Sequence, residues 1–179
     1  MYGSTYTWIN QNYQTVIIIG IIGFVILNLI FPKGKRKIIY WLCSCVSVVV
    51  YLVILQYVTF GMRSPMVEQR YISEPFTSYK AVIYEGSTYW LEQIVSNVIC
   101  FLPLGVFFRQ FLGSRAKWYR CMLFSFLVSF SIEWLQLETR RGWFEYDDLI
   151  NNVTGALVGY VIAAIIDMAV ALIRNRKTI

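Results

Sequence analysis

Two short stretches hold most of the groups able to do chemistry. SIEWLQLETRR sets Glu133, Gln136 and Arg140 at steps of three and four residues, which makes them one stripe of a helix. YDDLINNVTGALVG sets Asp148, Asn152, Gly155 and Gly159 at steps of four, three and four, again a single face. Carboxylates and guanidinium groups gathered in this way suit recognition of a phosphate or carboxylate, the acids holding the cations in position. A desolvated Glu133 is also a candidate general acid or base, and Asp147 with Asp148 a candidate holder of a divalent cation against a phosphate.

What is missing narrows the chemistry. The chain contains no histidine, which removes imidazole bases, Ser-His-Asp triads and the zinc sites built on imidazole. No nucleophile with an adjacent base and no phosphate-cradling glycine loop stands in the sequence. Cys43, Cys45, Cys100 and Cys121 fall in or at the edge of apolar runs and read as packed thiols rather than a disulfide framework. The reading therefore assigns no resident metal and no cofactor.

These polar groups lie in a chain that is 58% apolar and only 15% charged, with a mean hydropathy of +0.56. Such a composition is that of an integral membrane protein. Apolar runs long enough to cross a hydrocarbon core predict about five transmembrane helices: 14–31, 38–60, 92–112, 118–137 and 149–173. The fold class expected is all-α, a polytopic bundle, with two N-terminal helices in 1–60 and a second unit, 61–179, made of a loop at 61–91 and three helices. That loop, Tyr-rich and holding Pro65 and Pro75, is expected to be ordered and to lie on the outer mouth of the bundle.

Basic residues set the expected orientation. Lys33, Lys35, Arg36, Lys37, Arg109, Arg115, Lys117, Arg120, Arg174, Arg176 and Lys177 fall on one side if the helices alternate. Cytoplasmic ends retain such residues, so the N-terminus is expected outside and the C-terminus in the cytoplasm. The formal charge of +6 then reflects topology and affinity for anionic lipid; nucleic acid is not an expected partner. No Lys or Arg precedes the first apolar run, so the first helix reads as a retained span rather than a cleaved signal.

In this topology Asn97, Glu133, Gln136, Asp148 and Asn152 share the outer part of the membrane, with Arg70, Arg140 and Arg141 just above. A bland reading stands beside the functional one. Glu133, Gln136 and Asn152 can be interhelical hydrogen-bond glue, worth about 1 kcal/mol per contact. Asp147 and Asp148 suit the first turn of a helix, where acids complement the macrodipole or cap it. Pro103 and Gly105 in FLPLG suit a bend, and Gly155 with Gly159 a close helix contact. Glue alone does not call for carboxylates and guanidinium groups gathered at one surface.

Taken together, RYISEPFTSY (70–79), NVICFLPLG (97–105), SIEWLQ (131–136), RRG (140–142) and FEYDDLINNVTGALVG (144–159) resemble the VanZ-like family of bacterial membrane proteins over the second half of the chain. The resemblance implies a multi-pass protein of the bacterial cell membrane and a part in low-level resistance to glycopeptides, teicoplanin above all. It maps the recurrent polar positions onto Arg70, Asn97, Glu133, Gln136, Arg141, Asp148 and Asn152. Many relatives carry an Arg where this chain has Gly142, which leaves both Arg140 and Arg141 as candidates for the cation. Where many relatives read N-T-x-G, this chain has Asn152-Val-Thr-Gly155.

Two functions fit. One is a non-enzymatic envelope protein whose outward polar site binds an amphiphile: the drug, a lipid-linked cell-wall precursor or an anionic lipid, with membrane lipids as constant partners. The other is an intramembrane enzyme that modifies a lipid head group or precursor by carboxylate or metal chemistry, with Glu133 and Asp148 as its candidate catalytic groups.

Overall fold

A computed structural model describes residues 37–176 apart from 62, 69, 70 and 73. The first expected span, 14–31, and Arg70 lie outside the described residues. Four helices there are long and apolar enough to cross a membrane: Ser44–Gly61, Thr88–Leu112, Trp118–Glu138 and Tyr146–Leu172.

Helix α1 (Lys37–Gln56) is rich in valine, a poor helix former in water. In hydrocarbon the backbone has no water to bond, and a helix satisfies every N–H and C=O within the segment. The helix loosens into a π turn at Tyr57–Gly61, and Thr59 Oγ1 donates back to the Leu55 carbonyl at 2.8 Å. Helix α1 meets α3 (Thr88–Leu112) through Tyr51, Leu55, Cys100, Phe101 and Leu104, and the Tyr51 hydroxyl donates to the Cys100 carbonyl at 3.1 Å. Cys100 and Cys121 are buried free thiols, whereas Cys45 is exposed.

The segment read from sequence as a loop, 61–91, contains more structure than that. A two-residue strand β1 (Tyr71–Ile72) is followed by helix α2 (Thr77–Glu85), and α3 already begins at Thr88. Gly86, in the left-handed region at φ 65°, ends α2 with its N–H on the Ala81 carbonyl. Ser87 then opens α3, its hydroxyl accepting from the Trp90 N–H at 3.5 Å.

Helix α4 (Trp118–Glu138) leads through a tight turn to strand β2 (Phe144–Glu145), which pairs in parallel with β1, Tyr71 opposite Phe144 and Ile72 opposite Glu145. Helix α5 (Tyr146–Arg176) follows at once and packs along α3. A Cβ on Gly155 would stand 2.2 Å from the Val98 carbonyl oxygen, one on Gly159 2.0 Å from that of Leu102, and one on Gly105 1.7 Å from that of Ala156. The two backbones thus touch, with glycines supplied from both sides. At the far end of this pair Arg109 Nε binds Asp167 Oδ2 at 3.2 Å, and the Tyr160 hydroxyl, itself receiving Arg109 Nη1, donates to the Ala116 carbonyl at 3.0 Å.

Candidate functional site

The polar residues of α3, α4 and α5 converge at the end of the bundle that carries β1, α2 and β2. Helix α4 buries a stripe of Cys121, Ser125, Ser129, Glu133 and Gln136 against its neighbours. Glu133 is 2% exposed and Gln136 1%. Gln136 Nε2 donates to the Thr59 carbonyl at 3.1 Å, and Asn152 Nδ2 reaches Ser129 Oγ at 2.9 Å. Glu133 Oε2 accepts the Glu145 backbone N–H at 3.2 Å, so β2 is pinned to the middle of the carboxylate cluster.

Between these side chains lies a small chamber of about 30 Å³, walled by Asn97, Glu133, Gln136, Asp148, Asn152 and Arg63 among others. It has room for a water molecule. Gln136 Oε1, Asn152 Oδ1 and Asn97 Nδ2 are buried and close no hydrogen bond of good geometry, although Asn97 lies beside Asp148. A larger polar pocket of about 410 Å³ sits next to it, bounded by Arg63, Tyr89, Trp90, Arg141, Trp143, Glu145 and Asp148. Arg63 and Asp148 line both spaces and so form the partition between them.

Arg63 is the group that sequence reasoning did not single out. It follows the π turn in an aperiodic stretch, where no spacing points to it, yet its charge acts on Glu133, Glu145 and Asp148 together. Gly142 makes room for it: a Cβ there would come within 2.6 Å of Arg63 Nη1. A guanidinium delivered from the loop therefore stands over the position where the resemblance would place an Arg. Glu145 has only a faint signal in the sequence, an acid beside the Asp147–Asp148 pair.

The remaining expected site residues divide. Arg141 lines the larger pocket and its Nη1 donates to the Phe60 carbonyl at 3.0 Å. Arg140 is exposed, adopts φ 57°, and points its Nη1 at the Val67 carbonyl at 3.4 Å while its own carbonyl accepts the Met66 N–H at 2.7 Å. It ties the turn after α4 to the loop. Asp147 faces α2: its Oδ1 accepts the Phe76 N–H at 2.6 Å, and its Oδ2 accepts the Ser78 N–H at 2.8 Å and the Ser78 hydroxyl at 2.6 Å. Phe76 is the N-cap position of α2 and makes no cap bond with its own side chain, so Asp147 caps that helix from a distant part of the chain. Next to it the Tyr79 hydroxyl donates to Asn151 Oδ1. No group of three or more Cys, Asp or Glu suited to a metal ion occurs among the described residues.

Burial pushes the Glu145 carboxyl up to about 8; Asp148 and Asp147 add to this and Arg63 opposes it. The folded chain then binds this proton more tightly than the unfolded chain. The stabilisation is fully present below about pH 4.5 and is lost as pH rises through about 8. Thermal unfolding of the detergent-purified protein should shift downward between pH 5 and 8, and Glu145→Gln should flatten part of that slope. An unchanged slope in the variant contradicts the assignment.

Spanning helices around a polar, carboxylate-rich pocket at one end of the bundle define a multi-pass helical membrane protein. The family model described as VanZ/LLP1 matches residues 39–167, and the chain belongs to that family. Neither a search of curated proteins nor one of solved structures gives a match.

Proposed function

We propose that this VanZ/LLP1 protein is an envelope protein of the bacterial cell membrane whose pocket faces outward and binds the polar head of an amphiphile, lowering susceptibility to teicoplanin-type glycopeptides. The observation that carries this reading is the pocket of about 410 Å³, in which Arg63 and Arg141 meet aromatic rings and carboxylates at the membrane end of three helices. Small-molecule sites have this size, and Arg with Trp and Tyr is the usual company of an amphiphile's head at an interface. The outward orientation is supported by Arg109, Arg115, Lys117 and Arg120, which lie at the opposite end of α3 and α4 from the pocket. Teicoplanin carries an acyl chain and meets lipid-linked precursor outside the membrane, so a polar mouth there can engage drug, precursor or lipid.

The test is teicoplanin and vancomycin susceptibility of a host expressing wild type, Arg63→Gln, Arg141→Ala, Glu133→Gln and Asp148→Asn at matched membrane levels. Protection against teicoplanin should fall in the variants to that of the host without the protein. Protection that persists in all of them overturns the reading.

The second reading, an intramembrane enzyme acting on a lipid head group or cell-wall precursor, is supported by the inner chamber. Glu133 lines a water-sized cavity that shares Arg63 and Asp148 with the pocket, and a carboxylate beside a held water is what a general base requires. Candidate lipid substrates recovered unchanged from purified protein supplied with Mg²⁺, Mn²⁺ and Ca²⁺ would remove it.

A further inference from the structure

We infer that the head group this pocket takes is a zwitterion, a phosphate joined through a short linker to a primary ammonium; the inference rests on the reading above that the pocket holds an amphiphile. The ground is which groups on its wall are already engaged. Arg141 gives Nη1 to the Phe60 carbonyl, and the Trp143 indole N–H points at Met66 Sδ, 3.3 Å away. The Arg63 guanidinium makes no ion pair or hydrogen bond with any described residue. The carboxylates of Glu145 and Asp148 make no ion pair among the described residues either. One wall therefore presents a cation and two acids that lie within each other's field, with Asn97 beside Asp148, yet close no ion pair among the described residues.

An occupant with only negative charge would seat well on Arg63 but lie against Glu145 and Asp148. One with only positive charge would meet the reverse conflict. A phosphate on Arg63 and Arg141 with an ammonium on Glu145 and Asp148 satisfies both, and Tyr89, Trp90 and Trp143 line the same space. Two carboxylates ask for N–H donors, which a primary ammonium has and a quaternary one lacks. At about 410 Å³ the space is too large for a bare phosphate and falls within the range of small-molecule sites. Burial and the neighbouring acids raise the Glu145 carboxyl, and an ammonium seated beside it favours the ionised form.

The same chemistry is offered by a lipid head group and by a soluble molecule, so both enter the test. Full-length protein is released from nanodiscs holding equal amounts of phosphatidylethanolamine, phosphatidylglycerol and phosphatidylcholine, and bound lipid is read by native mass spectrometry with free phosphoethanolamine as competitor. Phosphatidylethanolamine should be retained above the other two and be displaced by the soluble head group. Glu145→Gln and Asp148→Asn should each lower that retention about tenfold, the scale of one lost charge-assisted hydrogen bond, and raise that of phosphatidylglycerol. Equal retention of phosphatidylglycerol, or failure of the soluble head group to displace the lipid, overturns the zwitterion while the amphiphile reading stands. No retention of any lipid and no binding of phosphoethanolamine overturns both.

Discussion

Replacing Gly155 with valine should leave almost no folded protein in the membrane, because the atoms its side chain would strike cannot move aside. A single Cβ at this position stands 2.2 Å from the Val98 carbonyl oxygen and 2.9 Å from the Val98 carbonyl carbon and Cα. These are backbone atoms of a helix, held by its own hydrogen bonds, so α3 and α5 must part along their length. Over-packing an ordinary core by a methylene costs about 1–3 kcal/mol. Parting two helices forfeits the close packing along the whole contact, and no hydrophobic drive remains to hold them together, because lipid tails are as apolar as the side chains. Gly159→Val should behave alike, its Cβ meeting the Leu102 oxygen at 2.0 Å. Val158→Ala, on the exposed side of the same helix, is the control and should be close to neutral. Membrane level and the thermal midpoint in detergent are the readouts; a wild-type midpoint for Gly155→Val would show that the helices do not touch as described.

Asp147→Ala should free the α2 segment while the helical bundle keeps its packing. The carboxylate holds the Phe76 and Ser78 N–H groups and the Ser78 hydroxyl. Leaving the buried Ser78 donors unmade costs about 1–3 kcal/mol each, and α2, with 9 residues, is too short to stand as a helix without such help. Amide exchange at Phe76, Ser78 and Lys80 should accelerate by at least an order of magnitude, and proteolysis should open between β1 and α3. Asp148→Asn, one residue along, should leave that exchange alone and act on ligand binding. Equal exchange in wild type and Asp147→Ala would return Asp147 to the pocket as a ligand group. Neighbouring acids that look equivalent in sequence thus have different work.

The difference between those two aspartates marks how far the sequence reaches. Membrane character, helix positions and shared faces are local properties: they follow from composition and from a repeat of 3.6 residues, and each is written in a window of some twenty residues. The expected spans 92–112 and 118–137 therefore differ from α3 and α4 by only a few residues at their ends. Glu133, Gln136, Asp148 and Asn152 are legible as polar stripes for the same reason, and the order of the motifs was enough to name the family that residues 39–167 match.

The contacts that make a site of these stripes join residues far apart in the chain, and no local pattern encodes them. Gln136 meets Thr59 across 77 positions, Arg141 meets Phe60 across 81, and Asp147 reaches Phe76 across 71. Arg63 belongs to no helix and has no periodicity to betray it. Helix α2 has no signal in its own stretch of sequence, because its N-terminal cap is supplied by Asp147 at the start of α5 rather than by its own first residues. Local sequence is enough to read a membrane protein of helices, the residues of each helix that share a face, and the family to which the chain belongs. Which acid caps and which lines the pocket, and that Arg63 stands between the pocket and the inner chamber, follow from the long-range packing of helices and loop, which no local window contains.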